Sequence, residues 1–113
     1  MNIVIDISKQ FHSHLVNRSK KQGDGKYSAI EFREKFLREL DSDAWWKDES
    51  KKIGLDFSGV KTLAPSWANE LFAYYVKYAT EASILNKIEL LNISKVKRSI
   101  IEEEIRAGAS HVS

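Results

Sequence analysis

The segment IGLDFSGVKTLAPSW, residues 53–67, decides the fold of this chain. Ile53, Leu55 and Phe57 alternate with residues of the opposite face, which predicts a strand. The Ser-Gly pair that follows predicts a turn. Pro65 and Ser66 then suit the start of a helix, with the proline at its first position or the serine as its cap.

Downstream of this segment, apolar residues recur at helical spacing, so the sequence predicts a helix over residues 67–81. Residues 87–93, KIELLNI, predict another strand. Ser94 is placed to cap a last helix that we expect Gly108 to stop. Residues 109–113 are small and polar, and we expect this tail to fray.

Upstream, Ile3, Ile5 and Ile7 alternate with other residues and predict a first strand. Residues 8–27 have little periodicity and predict an irregular loop, with a short strand at 14–16. Ser28-Ala29-Ile30-Glu31 is a capping box that opens a helix over 29–40. The charged stretch 41–52 is expected to be loop-like.

Strands and helices therefore alternate along the chain, which predicts an α/β fold. We expect a small mixed sheet with helices packed mainly on one face. The length of 113 residues favours a single domain over residues 1–113.

The composition excludes several classes of protein. The absence of cysteine excludes a disulfide scaffold, thiolate zinc sites and cysteine catalysis. The apolar runs are too short to span a membrane, and the first residues lack the features of a secretion signal, so a cytoplasmic protein is expected. A net charge of +2 does not demand a nucleic-acid or membrane partner.

Residue patterns typical of catalysis or of metal sites are weak in this sequence. His12 and His14 would share one face of a strand, but among the histidines only the distant His111 could add a third ligand. Residues 102–104, three glutamates, are expected to form a solvated helix surface. We therefore expect a protein that is not an enzyme and that needs no metal or cofactor.

Arg33 lies within the apolar stripe of the helix predicted over 29–40. Arginine is rarely buried without a partner. Two readings remain open: the side chain reaches solvent from the edge of the stripe, or it forms a structural ion pair with Asp56 or Glu70.

The helix that begins near Trp67 has apolar residues over about half of its wheel, more than the usual stripe of about 100°. A helix packed between a sheet and a neighbouring helix would explain this width. Aromatic residues are also enriched at interfaces, so Tyr74 and Tyr78 are expected to contact a partner or a second copy of the chain.

Several of these segments together resemble one protein family. DFSGVKTLAPSW, residues 56–67, looks like the central motif of STAS domains, the fold of anti-sigma-factor antagonists and of sulfate-transporter tails. Ser28-x-x-Glu31-Phe32-Arg33 and Ser66-Trp67-x-Asn69-Glu70 are similar to the signature of a bacterial STAS-like family of unknown function. The resemblance covers most of residues 3–108.

The resemblance implies a regulatory domain. In true antagonists, a kinase-like partner phosphorylates a serine at the start of this helix, and phosphorylation releases the partner. Laid without gaps, the usual phosphoacceptor position falls on Pro65, the aspartate of the pattern is absent, and the neighbouring Ser66 becomes the candidate for phosphorylation.

From these observations, the favoured function is a non-catalytic signalling or adaptor domain. Its protein partner, such as a kinase-like ATPase, would bind the loop 58–66 and the start of the following helix. The centre of this surface would be Ser66, Trp67, Asn69 and Glu70.

The alternative function is binding of a nucleotide or another small anion. The basic loop 18–26 would supply the positive charge for it, through Lys20, Lys21 and Lys26.

Overall fold

The computed structural model describes residues 3–19 and 27–110. These residues form six α-helices and five strands, together with two 3-10 segments, Arg38–Leu40 and Ala73–Lys77. The elements are β1 (Ile3–Asp6), α1 (Ile7–Gln10), β2 (His14–Leu15), α2 (Ala29–Phe36), α3 (Asp43–Lys47), β3 (Ile53–Asp56), β4 (Thr62–Leu63), α4 (Pro65–Phe72), α5 (Glu81–Lys87), β5 (Ile88–Leu91) and α6 (Lys95–Ser110).

The expected α/β class is confirmed. The main sheet has the order β1-β3-β5, and β2 pairs with β4 in a separate two-stranded ladder. All of these described pairings are parallel, so the expectation of a mixed sheet was wrong. Helical crossovers separate the three strands of the main sheet and return the chain to the same end each time, as a parallel sheet requires.

Helices cover one face of the main sheet, as the sequence predicted. Ile5, Leu55 and Ile88 lie on this face, and each is at most 4% exposed. On the same side, α4 contacts both α2 and α6. No helix among the described residues is both long and apolar enough to cross a membrane.

Two predicted helix starts have the expected serine caps. Ser28 Oγ accepts a hydrogen bond from the Glu31 amide at 3.2 Å, and Ser94 Oγ accepts one from the Lys97 amide at 3.2 Å. These bonds satisfy amides that have no partner inside the helix. The first helix is shorter than predicted, because it ends at Phe36 and continues as a 3-10 segment.

The charged stretch 41–52 is not only a loop, since it contains α3. Ser42 Oγ accepts from the Trp45 amide at 3.2 Å and caps this helix. The helix expected over 67–81 is also divided: α4 ends at Phe72 and a 3-10 segment follows. Thr80 then caps the separate helix α5 by accepting from the Ser83 amide at 3.2 Å.

Gly108 does not stop the last helix, because α6 continues to Ser110. The glycine instead allows α6 to approach the 3-10 segment Ala73–Lys77. A Cβ atom on Gly108 would lie 2.7 Å from Ala73 Cβ, which is closer than two such atoms can pack. The missing side chain is therefore a packing requirement rather than a helix terminator.

We expect Gly108→Ala to destabilise the protein, although alanine normally stabilises a helix relative to glycine by about 1 kcal/mol. Overpacking of this kind costs about 1–3 kcal/mol. Urea unfolding of Gly108→Ala, alone and combined with Ala73→Gly, tests the prediction, because the second change removes the clashing methyl group. A Gly108→Ala variant more stable than wild type would contradict it.

Candidate functional site

The loop 58–66 lies between β3 and the start of α4, and its backbone is held by the segment before α2. The Lys61 amide donates to the Ser13 carbonyl at 2.7 Å, and the Ala64 amide donates to the Leu15 carbonyl at 2.8 Å. Val60 within the loop is buried in the core. The loop therefore has a fixed conformation.

Gly59 brings this loop against α1. A Cβ atom at Gly59 would lie 2.0 Å from Ser8 Oγ, so only glycine fits at this approach. Ser8 in turn donates to Asp6 Oδ1 at 3.1 Å. The turn after β3 is thus packed on helix α1, which follows β1, at the carboxyl ends of both strands.

Several side chains of the loop are exposed to solvent. Ser58, Lys61, Thr62 and Pro65 are exposed. Thr62 Oγ1 lies 2.9 Å from Nδ1 of the exposed His14, which links β4 to β2. This set offers hydrogen-bonding groups and one positive charge to a binding partner.

Of the two helix starts that the sequence left open, the structure has the proline at the first position, and Ser66 is not the helix cap. Helix α4 starts at Pro65, and its N-cap is Ala64, which has no side-chain capping bond. The half-buried Ser66 hydroxyl donates instead to the Val16 carbonyl at 3.0 Å. Ser66 therefore ties the start of α4 to the strand segment before α2.

Trp67 is fully buried, so it is not an exposed residue at the centre of the surface that the sequence suggested. Its ring packs against Phe32 of α2, with ring centroids 5.5 Å apart. Trp67 Nε1 has no hydrogen-bond partner among the described residues. The burial follows from its position on α4, which faces α2.

Asn69 and Glu70 face α2 and the segment before it. Arg33 Nη1 donates to Glu70 Oε2 at 3.1 Å and to the Glu70 carbonyl at 2.5 Å. Arg18 Nη1 donates to Asn69 Oδ1 at 3.0 Å and lies 3.9 Å from Glu70 Oε1. Both side chains are therefore engaged within the protein, where they join α4 to α2.

Asp56 is not brought to Arg33. Its Oδ1 accepts from the Ser58 amide at 2.8 Å and from Asn92 Nδ2 at 3.3 Å, at the carboxyl end of the sheet. The hydrogen bond from the Ser58 amide is the main reason that the pKa of Asp56 lies below its usual value. The reading that pairs Arg33 with Asp56 is corrected, because the two side chains belong to different parts of the fold.

Tyr74 and Tyr78 are half-buried against the protein itself. The Arg33 guanidinium carbon lies 3.8 Å from the Tyr74 ring centroid, and Lys77 Nζ lies 3.7 Å from it. Tyr78 stacks on Trp46 at a ring distance of 6.5 Å. These contacts give the wide apolar arc partners inside the fold, and binding of a second copy there stays a prediction.

Two further expectations concern charged and metal-ligating residues. Lys20, Lys21 and Lys26 lie outside the described residues. Within 3–19 and 27–110 no group of three or more potential metal ligands occurs, and His111 lies outside these ranges.

Sequence reasoning missed Lys87, which is only 4% exposed. Its ammonium donates hydrogen bonds to three backbone carbonyls at the end of α3. These are the carbonyl of Trp45, that of Trp46 at 3.1 Å and that of Asp48 at 2.7 Å. Burial lowers the pKa of this group, and the charges of Asp48 and Glu49 oppose the shift. The sequence gives no local sign of this contact, because its partners are backbone atoms about forty residues away.

The parallel sheet with helices on one face, and the strand-turn-helix unit at residues 53–72, define a STAS-like α/β domain. A family model described as "STAS-like domain of unknown function (DUF4325)" matches residues 28–98, more than half of the chain. The chain belongs to this family. No curated protein and no solved structure matches it significantly.

Proposed function

We propose that this chain is a non-catalytic regulatory or adaptor domain that binds a protein partner through the loop 58–66 and the start of α4. The observation that carries the proposal is the loop itself, which has a fixed backbone and exposed Ser58, Lys61, Thr62 and Pro65 side chains. A loop that is already ordered loses little conformational entropy on binding. Membership of the STAS-like family supports a regulatory role.

The structure changes which residues would form the centre of this surface. Trp67 is buried and Glu70 is paired, so they would support the loop rather than touch the partner. Asn69 and Ser66 are half-buried at its border. The exposed side chains of Lys61 and Pro65 are therefore the contacts to change first.

Affinity capture from the native host, with the wild type as bait, tests this proposal. We expect the double variant Lys61→Glu, Pro65→Glu to lose the partner, because it adds negative charge at two exposed positions without touching the core. The variant Lys95→Glu, Ser99→Glu has the same change in net charge on exposed positions of α6 and should keep it. Equal capture by all three proteins would overturn the proposal.

Partner switching through Ser66 is a further part of the proposal. A kinase-like ATPase among the captured proteins would support it. Phosphorylation would break the bond from Ser66 to the Val16 carbonyl and place about two negative charges beside that oxygen. Ser66→Ala loses the same hydrogen bond without adding charge, so it separates the effect of the lost bond from that of the added charge. A switch requires that Ser66→Asp loses the partner and that Ser66→Ala keeps it.

A further inference from the structure

The main sheet has a second face that the described residues leave largely open to solvent. Val4 on this face is 54% exposed, and Glu89 is also exposed. Each strand of the main sheet contributes two residues to this open face. They are Val4 and Asp6 from β1, Gly54 and Asp56 from β3, and Glu89 and Leu91 from β5.

An uncovered face is unusual for a parallel sheet, because such sheets are normally covered on both sides. Outside the described ranges, the 113 residues include only residues 1–2, 20–26 and 111–113. The longest of these segments reads KKQGDGK and contains no apolar side chain. This longest segment therefore has no apolar side chain to offer to the open face.

The centre of the open face is an apolar strip that crosses all three strands. A Cβ atom on Gly54 would lie 3.2 Å from Val4 Cγ2 and 2.9 Å from Leu91 Cδ1. The two aliphatic side chains therefore lean over the glycine from both sides. The result is one continuous apolar surface rather than two isolated residues.

Negative charge is concentrated at one end of this strip. Asp6 and Asp56 lie side by side at the carboxyl ends of β1 and β3, and the 83% exposed Lys9 lies 4.0 Å from Asp6 Oδ2. Glu89 lies in register with Gly54 and lines a cavity together with Lys52 and Arg98. The face thus carries carboxylates on all three strands around Val4 and Leu91, and two of these carboxylates lie side by side at its carboxyl end.

We propose that the open face binds an amphipathic helix of a partner protein, with lysine or arginine side chains over Asp6 and Asp56. Three strands spaced by about 4.8 Å give a width of about 10 Å, which is the diameter of one helix. Strands of four residues extend about 13 Å, the length of about nine helical residues. A second copy packed face to face would bring carboxylates against carboxylates.

The test uses two helical peptides of about fourteen residues with the same leucine stripe, one carrying lysine and the other glutamate on its polar face. Methyl NMR of the full chain follows Val4 and Leu91, with the exposed Val96 of α6 as an internal control. We expect saturable shifts at Val4 and Leu91 with the lysine peptide, and binding of the glutamate peptide at least about tenfold weaker.

Variants of the open face show which of its residues contribute to binding of the lysine peptide. Asp6→Asn with Asp56→Asn keeps both Oδ1 acceptors but removes the charges, and it should weaken the lysine peptide by about tenfold. Val4→Thr should weaken it by about fivefold, and the matched Val96→Thr should not change it.

Three results would overturn the proposal: equal binding of the two peptides, shifts confined to residues outside the open face, or a wild-type dimer that Val4→Thr dissociates. The last result would assign the face to a second copy. The Lys61→Glu, Pro65→Glu variant should bind the lysine peptide normally. The test of the open face and the test of the loop 58–66 therefore have independent outcomes.

Discussion

Replacing Lys87 with methionine is expected to lower the free energy of unfolding by roughly 3 kcal/mol or more. Methionine fills a similar volume but cannot donate to the carbonyls of Trp45, Trp46 and Asp48. A buried acceptor left without its donor costs about 1–3 kcal/mol. The loss is large beside the total stability of about 5–15 kcal/mol for a typical domain.

Lys87 also shows how far the effect of one side chain extends in this fold. It stands at the end of α5, immediately before β5, and its ammonium lies 4.4 Å from the centroid of the Trp45 ring. The contact fixes α3 against the helix that leads into an edge strand. Loss of the ammonium is therefore expected to loosen α3 as well as to reduce global stability.

Urea unfolding of Lys87→Met, monitored by tryptophan fluorescence, measures this effect. Lys47→Met is the matched control, because Lys47 is the exposed last residue of α3, and its replacement should change stability by less than about 0.5 kcal/mol. Lys87→Arg should not restore the wild-type stability. The planar guanidinium of arginine cannot direct its donors to the three carbonyls as a single ammonium does. Similar stability of Lys87→Met and Lys47→Met would refute the role assigned to this lysine.

The parts of the fold that the sequence predicted correctly depend on local physics. Alternation of Ile53, Leu55 and Phe57 places a strand, and the hydroxyls of Ser28 and Ser94 cap helices where free amides need an acceptor. Each of these signals is complete within a few residues. They suffice for the α/β class and for the positions of the three strands of the main sheet.

The errors arise where the decisive contact is distant in sequence. Gly108 has the residue type of a helix terminator, but it is required by Ala73, thirty-five positions earlier. The helix expected over 67–81 is divided, and in the 3-10 segment residues three apart line up. Tyr75 and Tyr78 accordingly both contact Trp46, at ring distances of 5.3 and 6.5 Å.

The candidate site follows the same rule. The position of the loop 58–66 was predicted from its turn residues, whereas the burial of Trp67 could not be, because it depends on how α4 packs on α2. The signature residues Phe32, Arg33, Trp67 and Glu70 belong to that helix contact. In this chain they hold two helices together, and the loop beside them carries the exposed side chains.

Arg33→Met is expected to destabilise the protein by about 3–5 kcal/mol, the cost of breaking a buried ion pair from one side. Arg33 is 8% exposed, and its guanidinium bonds to the carboxylate and the carbonyl of Glu70 and stacks on Tyr74. Methionine would leave the Glu70 carboxylate beside the apolar contact of α2 and α4. Glu70→Gln should cost less, about 1–2 kcal/mol, because the amide oxygen still accepts from the guanidinium.

A double-mutant cycle measures the interaction between Arg33 and Glu70 apart from the other contacts of each residue. If Arg33 and Glu70 stabilise each other, Arg33→Met combined with Glu70→Gln should cost less than the sum of the single changes, since neither charge is then left unpaired. Arg98→Met is the control: Arg98 and Glu102 form a partly exposed surface pair at 3.5 Å on α6, and surface pairs contribute about 0–1 kcal/mol. Additive costs in the cycle, or an Arg33→Met variant as stable as Arg98→Met, would show that the two helices are held by their apolar contacts and not by this ion pair.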